Sequence, residues 1–275
     1  MTDTAKTEIE QNDRELAASF APPSVRARLN AFHAWIREIE DIPYKTTEPA
    51  ILAMRFAWHR EAVADLFAMP ARIRRHDAYE GMAPLIKEAD GPDAAELVQI
   101  IDAVEDGLDQ TRLTDITALL QVIDAQSGTA MRIAERLSGG AASEALRTAA
   151  ARASGLAHWV RGFAVRAGRM LALIPHDALD RAGINVHRLA SGREPERAAA
   201  AFAPVLDVLE AELAKLGELP TCPPESYPVL GVARLARATL KTARRSDDLY
   251  RTDFRPYPLL RQIELLRGSL TGRLA

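Results

Sequence analysis

Residues 48–68 read EPAILAMRFAWHREAVADLFA. Leu52, Phe56, Val63, Leu66 and Phe67 recur at three- and four-residue spacings and form one stripe of a helix, which Ile51, Met54 and Trp58 widen. Glu48-Pro49 opens the helix, because the fixed φ and missing N–H of proline suit a first turn. Pro70 ends it after about Met69. Nothing in the stretch alternates with the strand period. A helix patterned in this way buries its stripe against other helices, which sets the fold class.

The same period continues on both sides. Ser24 caps a helix over about 24–41, stopped by Pro43. A short basic helix is expected at Ala71–His76, another near 80–89 and, after Gly91-Pro92, one over 93–107. Thr114 caps a long helix that ends at Gly139-Gly140, with Ile116, Leu119, Leu120, Ile123, Ala130, Ala134 and Leu137 on its buried face. A second long helix runs from about Ser143 to Leu173. Pro175-His176-Asp177 starts a short helix closed by Gly183, residues 188–194 read as a polar loop, and helices follow at about 195–216, 226–245 and 256–272. With no repeat and no low-complexity linker, residues 1–20 read as a polar N-terminal segment and 21–275 as one all-α domain.

The bulk numbers exclude several classes. Among 275 residues, 48% are hydrophobic, 27% charged and 5% aromatic, and the net charge is -3. Without a global positive field or stacking aromatics, nucleic acid is not an expected partner. The single cysteine, Cys222, has no internal disulfide partner and lies in the loop-like Pro220-Thr221-Cys222-Pro223-Pro224. The N-terminus lacks the basic and apolar regions of a signal peptide. No run approaches the ~20 apolar residues of a membrane span. The expected location is cytoplasmic. Arginines in ARIRRH (71–76) and Arg261, Arg267 and Arg273 leave open a peripheral contact at the inner membrane, although surface arginines are common in an alanine- and arginine-rich chain.

Five segments occur in a recognisable order: RLNAFHAWIREIEDI (28–42), the 48–68 stretch, LLQVIDAQSGTAMRIAERL (119–137), GLAHWVRGFAVRAGRMLALIPHDALDRAGI (155–184) and PLLRQIELLRGSLTGRL (258–274). In the second, Glu48-Pro49, Arg55, Trp58, Arg60, Glu61 and Ala62 carry the pattern. Together the segments resemble the squalene/phytoene synthase family, and most strongly a divergent bacterial branch similar to the mitochondrial complex I assembly factor 6 group. The resemblance implies a single-domain prenyl-synthase-like helical bundle around a central cavity. It also implies, in active members, two aspartate-rich motifs on facing helices that hold Mg2+ on the diphosphate of an allylic substrate. A diphosphate leaves only when its growing charge is neutralised, and Mg2+ takes oxygen ligands.

Measured against that pattern, the first motif survives in part: Glu38 and Asp41 are three apart with Glu40 beside them, which makes Glu38 and Asp41 the candidate metal ligands or else a solvated helix end. The second motif is missing. Between Gly155 and Pro175, where the family carries an acidic pair, this chain has Arg161, Arg166 and Arg169 and no acid. Those arginines are candidate diphosphate contacts, or a solvent-facing basic stripe. Val122 stands where active relatives commonly carry a tyrosine. Arg55, Trp58, His59, Val122, Gln126, Gly128 and His158 are candidate cavity residues by their place in the matched segments. Asp102, Glu105, Asp106 and Asp109 share a helix face and read as a substitute metal site or a solvated stripe. The six histidines show no compact metal-ligand spacing.

These residues lead to an expectation of a scaffold without prenyl-transfer activity, with an isoprenoid or lipid ligand or a role in assembly of a membrane respiratory complex. The alternative is an active, Mg2+-dependent transferase condensing prenyl diphosphates at a rebuilt site.

Overall fold

The computed structural model describes residues 13–254 and 257–275. Among them there is no strand. A helical turn at 13–18 precedes α1 (Pro23–Glu40) and the short α2 (Ile42–Lys45). Next come α3 (Pro49–Leu66), α4 (Asp77–Leu85) and α5 (Ala94–Asp106). The Asp93 carboxylate and Glu96 close a reciprocal capping box on α5. Of the widened stripe on α3, Phe56, Val63 and Leu66 are buried, whereas Ile51 and Met54 are exposed.

The long helix expected from Thr114 is three pieces. It starts one residue later, with the Asp115 carboxylate accepting from Ala118 N–H, and runs as α6 (Ile116–Ile123), a π-helical turn (Asp124–Gly128) and α7 (Thr129–Ser138). The widened turn carries Asp124, which accepts from Nε and Nη2 of Arg152 at 2.8 and 2.7 Å. Gly139 then closes α7 with φ +73°, a left-handed position suited to glycine.

The second long helix also divides, into α8 (Glu144–Arg161) and α9 (Phe163–Gly168) around Gly162. Beyond α9 the backbone of Ala172, Leu173 and Ile174 is buried without regular structure, and side chains satisfy its carbonyls. Arg166 donates to Ala172 at 2.8 Å, Trp159 to Leu173 at 2.7 Å and Gln110 to Ile174 at 2.7 Å.

Two further expectations change. Residues 71–74 are not helical: Arg74 is drawn onto Asp65 and Glu61 and lies over the Trp58 ring at 5.1 Å, and Arg72 N–H donates to the Asp65 carbonyl. The loop expected at 188–194 contains a helix, capped by Asn185. The order there is α10 (His176–Ala182), α11 (Val186–Ser191) and the long α12 (Pro195–Glu218). The chain finishes with α13 (Tyr227–Leu230), a 3-10 turn (Gly231–Arg234), α14 (Leu235–Arg244) and α15 (Pro258–Thr271).

α8 is the central helix. It packs on α12, α14 and the π turn, and Ala149, Ala150, Ala153, Leu156, Ala157 and Val160 are buried on several sides of it. Small residues let the neighbours approach closely. A Cβ on Gly155 would stand 2.6 Å from Ser127 Oγ and 2.8 Å from an Ile123 methyl. α1 packs against α4 and α7. An interior cavity lies among α1, the π turn, α7, α8, the 13–18 turn, α13 and the 3-10 turn after it.

Candidate functional site

The inward face of α1 is set by helical spacing. His33, Ile36 and Glu40 lie three and four residues apart, so the buried stripe that carries Phe32 and Ile36 ends in a carboxylate. Glu40 is buried, and both of its oxygens are held by Arg14, at 2.8 and 2.8 Å. Burial works against the charge of Arg14, but the Glu40 carboxylate more than offsets it and holds the guanidinium protonated.

The rest of the 13–18 turn is fixed in the same way. Asp13 is buried and meets Arg261 of α15 at 2.6 Å. Burial pushes the Asp13 carboxyl up, against the pull of Arg161, Arg261 and Arg14. Ala17 packs with Leu235 and Leu265 in a small hydrophobic cluster apart from the main core. Residues 13–18, which the sequence placed in a polar leading segment, are thus packed against the bundle, and Asp13 and Arg14 wall its cavity.

From α8, His158 and Arg161 face the same space, and Arg161 donates to Thr239 Oγ1 at 3.1 Å. Burial lowers the Arg161 pKa, and Asp13 opposes that. His33 and His158 are both pushed down to about 3 by burial, reinforced by Arg14 at His33 and by Arg161 and Arg166 at His158. Both imidazoles are therefore neutral at neutral pH. Among the described residues, His33 Nδ1 has no hydrogen-bond partner.

The cavity these groups enclose measures about 60 Å³. A neighbouring space of about 20 Å³ shares Glu40 and His158 with it and is also lined by Tyr44, Gln126 and Arg166. Sites for organic ligands typically span ~300–1,000 Å³. These two spaces have room for a few waters.

The structure separates the residues singled out by sequence. Glu38 points away from the cavity, toward Lys45 at 2.5 Å and His76 at 3.7 Å, and Asp41 caps the end of α1; neither lines the cavity. Of the three arginines only Arg161 faces the main cavity. Arg166 is buried over the Trp159 ring at 4.0 Å and holds the Gly107 and Ala172 carbonyls, and Arg169 reaches the Pro43 carbonyl. They are not one stripe.

Among the expected cavity residues, His158 and Gln126 line the two spaces, whereas Arg55 is exposed on α3. His59 and Trp58 belong to a separate aromatic cluster. His59 Nδ1 lies 2.9 Å from Tyr79 Oη, and burial pushes His59 down to about 4. Val122 packs toward Gly107, and Gly128 ends the π turn. The Asp102–Asp109 face is tied up by arginines: Arg60 takes Asp102 and Glu105, and Arg112 takes Asp106 and Asp109. Cys222 is buried, which pushes its thiol up to about 12. It is not a thiolate nucleophile at neutral pH.

The family model for squalene/phytoene synthase matches residues 10–262. The chain belongs to the squalene/phytoene synthase family. Solved structures with the same architecture include a dehydrosqualene synthase determined with a ligand, at TM-score 0.76 and 12% identity, covering 97% of this chain and 94% of that one. The squalene synthase HpnC from Alicyclobacillus acidocaldarius aligns at TM-score 0.61 and 14% identity, over 98% of this chain and 94% of that one. YisP from Bacillus subtilis aligns at TM-score 0.60 and 15% identity, over 96% of this chain and 94% of that one. At these identities the neighbours establish the all-helical fold. No curated protein matches the chain in sequence.

Membership raises the question of Mg2+. The donors present do not fit a magnesium–diphosphate clamp. Among the described residues, no three His, Cys, Asp or Glu side chains gather as a metal site. The one carboxylate of α1 inside the cavity has both oxygens on Arg14, and the facing position on α8 is Arg161. A guanidinium donates hydrogen bonds and repels a cation.

Sequence reading understated Arg14, Asp13, His33 and Glu40. For Glu40 and His33 the signal was available, since both continue the apolar stripe of Leu29, Phe32 and Ile36. For Arg14 and Asp13 no local signal exists, because their burial comes from Glu40 and Arg261, 26 and 248 positions further along the chain.

Proposed function

We propose that this chain is a squalene/phytoene synthase family member that has kept the fold and lost the prenyl-transfer reaction. The observation that carries this reading is the Arg14–Glu40 pair: the carboxylate that would face a metal is occupied by a guanidinium from the chain itself. Arg161 in place of an acid on α8, and a cavity of about 60 Å³, support it. A prenyl chain of fifteen carbons needs a site in the ordinary ligand range. Neither of the two spaces around Glu40 is of that size, which points function toward the outer surface. We propose a binding role, in assembly of a membrane respiratory complex as the resemblance to the complex I assembly group implies, with an isoprenoid or lipid as the other candidate ligand.

The test is pyrophosphate release from the purified chain given farnesyl or geranylgeranyl diphosphate and Mg2+, beside an authentic family enzyme. No release above a Glu40→Ala/Arg161→Ala control is the expected result. Release above that control overturns the proposal. It would favour the second reading, a rebuilt site in which Arg161 and Arg14, both on the cavity wall, take the diphosphate.

A further inference from the structure

α15 carries apolar residues on two opposite sides. Its inner side is anchored: Leu265 and Gly268 are buried, Arg261 meets Asp13, Glu264 meets Arg234 at 3.0 Å, and Tyr227 Oη donates to the Leu265 carbonyl. Its outer side bears Leu259, Ile263, Leu266 and Leu270, exposed by 67, 36, 52 and 80%. At ~100° per residue these four project within an arc of about 60°, roughly opposite Arg261 and Gly268 and about 130° round from Leu265. Leu260 flanks the patch near its N-terminal end, exposed by 42%, and Tyr257, the residue before the first turn, is exposed by 81%. A contiguous apolar stripe of this kind on a solvent face marks a contact surface. Because the inner side is already packed, the stripe is not a core face awaiting a different fold of the same helix.

The charges beside the stripe select the occupant. Arg267 lies at its edge, and Arg273 follows the helix, exposed. The one acid of α15, Glu264, is half-buried between Arg234 and Arg267, at 3.0 and 3.3 Å. The outward face thus presents leucines, an isoleucine and guanidinia, with no exposed carboxylate of its own and an exposed tyrosine at the start of the helix. Interfacial helices that lie flat in a lipid headgroup layer have this chemistry: aliphatic side chains enter the acyl boundary, while tyrosine and arginine reach the headgroups. A second copy of the chain fits less well. A two-fold contact sets the same patch against itself, guanidinia included, with no exposed carboxylate on the stripe to pair with them.

We infer that the outer face of α15 seats on an anionic phospholipid surface. This does not rest on whether the interior is catalytic. The full-length chain, mixed with vesicles of phosphatidylcholine containing about one third phosphatidylglycerol, is expected to sediment with them, and to do so more weakly with phosphatidylcholine alone or in high salt. An Ile263→Ser/Leu266→Ser/Leu270→Ser variant is expected to lose at least about tenfold in vesicle affinity with an unchanged circular-dichroism melt, since those side chains already face water. Arg267→Gln/Arg273→Gln is expected to weaken binding to the mixed vesicles only. Wild-type protein that stays in the supernatant overturns the inference. So does a serine variant that binds as wild type. A wild-type dimer by analytical ultracentrifugation that the serine variant converts to monomer, with no vesicle binding by either, also overturns it and assigns the stripe to self-association.

Discussion

At the scale of single residues, the interior is governed by charges removed from water. Arg14 and Glu40 pair with two guanidinium nitrogens on the two carboxylate oxygens, which offsets the desolvation of each. Removing one partner strands the other, so Arg14→Ala is expected to lower stability by about 3–5 kcal/mol in urea unfolding. Arg14→Met combined with Glu40→Leu is expected to be far milder, because it removes both charges.

The histidines make a second expectation at this scale. His33, His158 and His59 have folded pKa values near 3, 3 and 4, below the ordinary 6.5. Below pH 6.5 the unfolded chain takes up protons that the folded chain refuses, so stability falls as pH drops and is constant in this respect above 6.5. Each histidine contributes up to about 1.4 kcal/mol per pH unit in that window. Asp13, raised by burial, works in the opposite sense at the acid end. The midpoint of thermal unfolding is expected to fall steadily between pH 6.5 and 5, and His33→Gln is expected to flatten part of that slope. An unchanged midpoint over this range contradicts the neutral, buried assignment.

At the scale of elements, the contact that decides the bundle is α8 against the π turn. Gly155 faces Ser127 and Ile123 with no room for a methyl group. Gly155→Ala is expected to lower stability by about 1–3 kcal/mol through overpacking. Gly168 supplies the contrast: a Cβ there meets no atom within 4 Å, so Gly168→Ala is expected to leave stability unchanged or raise it by up to ~1 kcal/mol. Chemical denaturation of the two variants checks both. The elements also show where periodicity stops being informative. The apolar pattern runs through 116–138 and 144–168 without a break, so each reads as one helix. Whether the backbone adds a π turn at Asp124 or bends at Gly162 depends on what packs against it, here Arg152 and the buried carbonyls of 172–174. At Asn185, by contrast, the cap is local: its side chain accepts from Arg188 N–H, and the helix it starts runs into the 188–194 stretch whose polarity reads as a loop.

At the scale of the whole molecule, the family and the all-α architecture were legible before any coordinates. Heptad-like stripes, proline stops and the order of five segments survive divergence, because each is local in the chain. A squalene/phytoene synthase fold with arginine where an acid pair belongs was visible in the same way. The absence of pyrophosphate release is the prediction proper to this scale, and the assay against an authentic family enzyme measures it.

The sequence by itself determined that the chain is helical throughout, where most of the helices lie and which ligands the second motif lacks, since all three are properties of near neighbours along the chain. Only the tertiary structure decided which carboxylate faces the interior, Glu40 and not Glu38 or Asp41, and that the cavity is walled by Asp13 and Arg14. It also decided that Arg161 points inward while Arg166 serves the backbone, and that the outer stripe of α15 is left exposed by the described residues. Those outcomes depend on groups brought together from opposite ends of the chain. A charge is stable inside a protein only beside the partner that replaces its water.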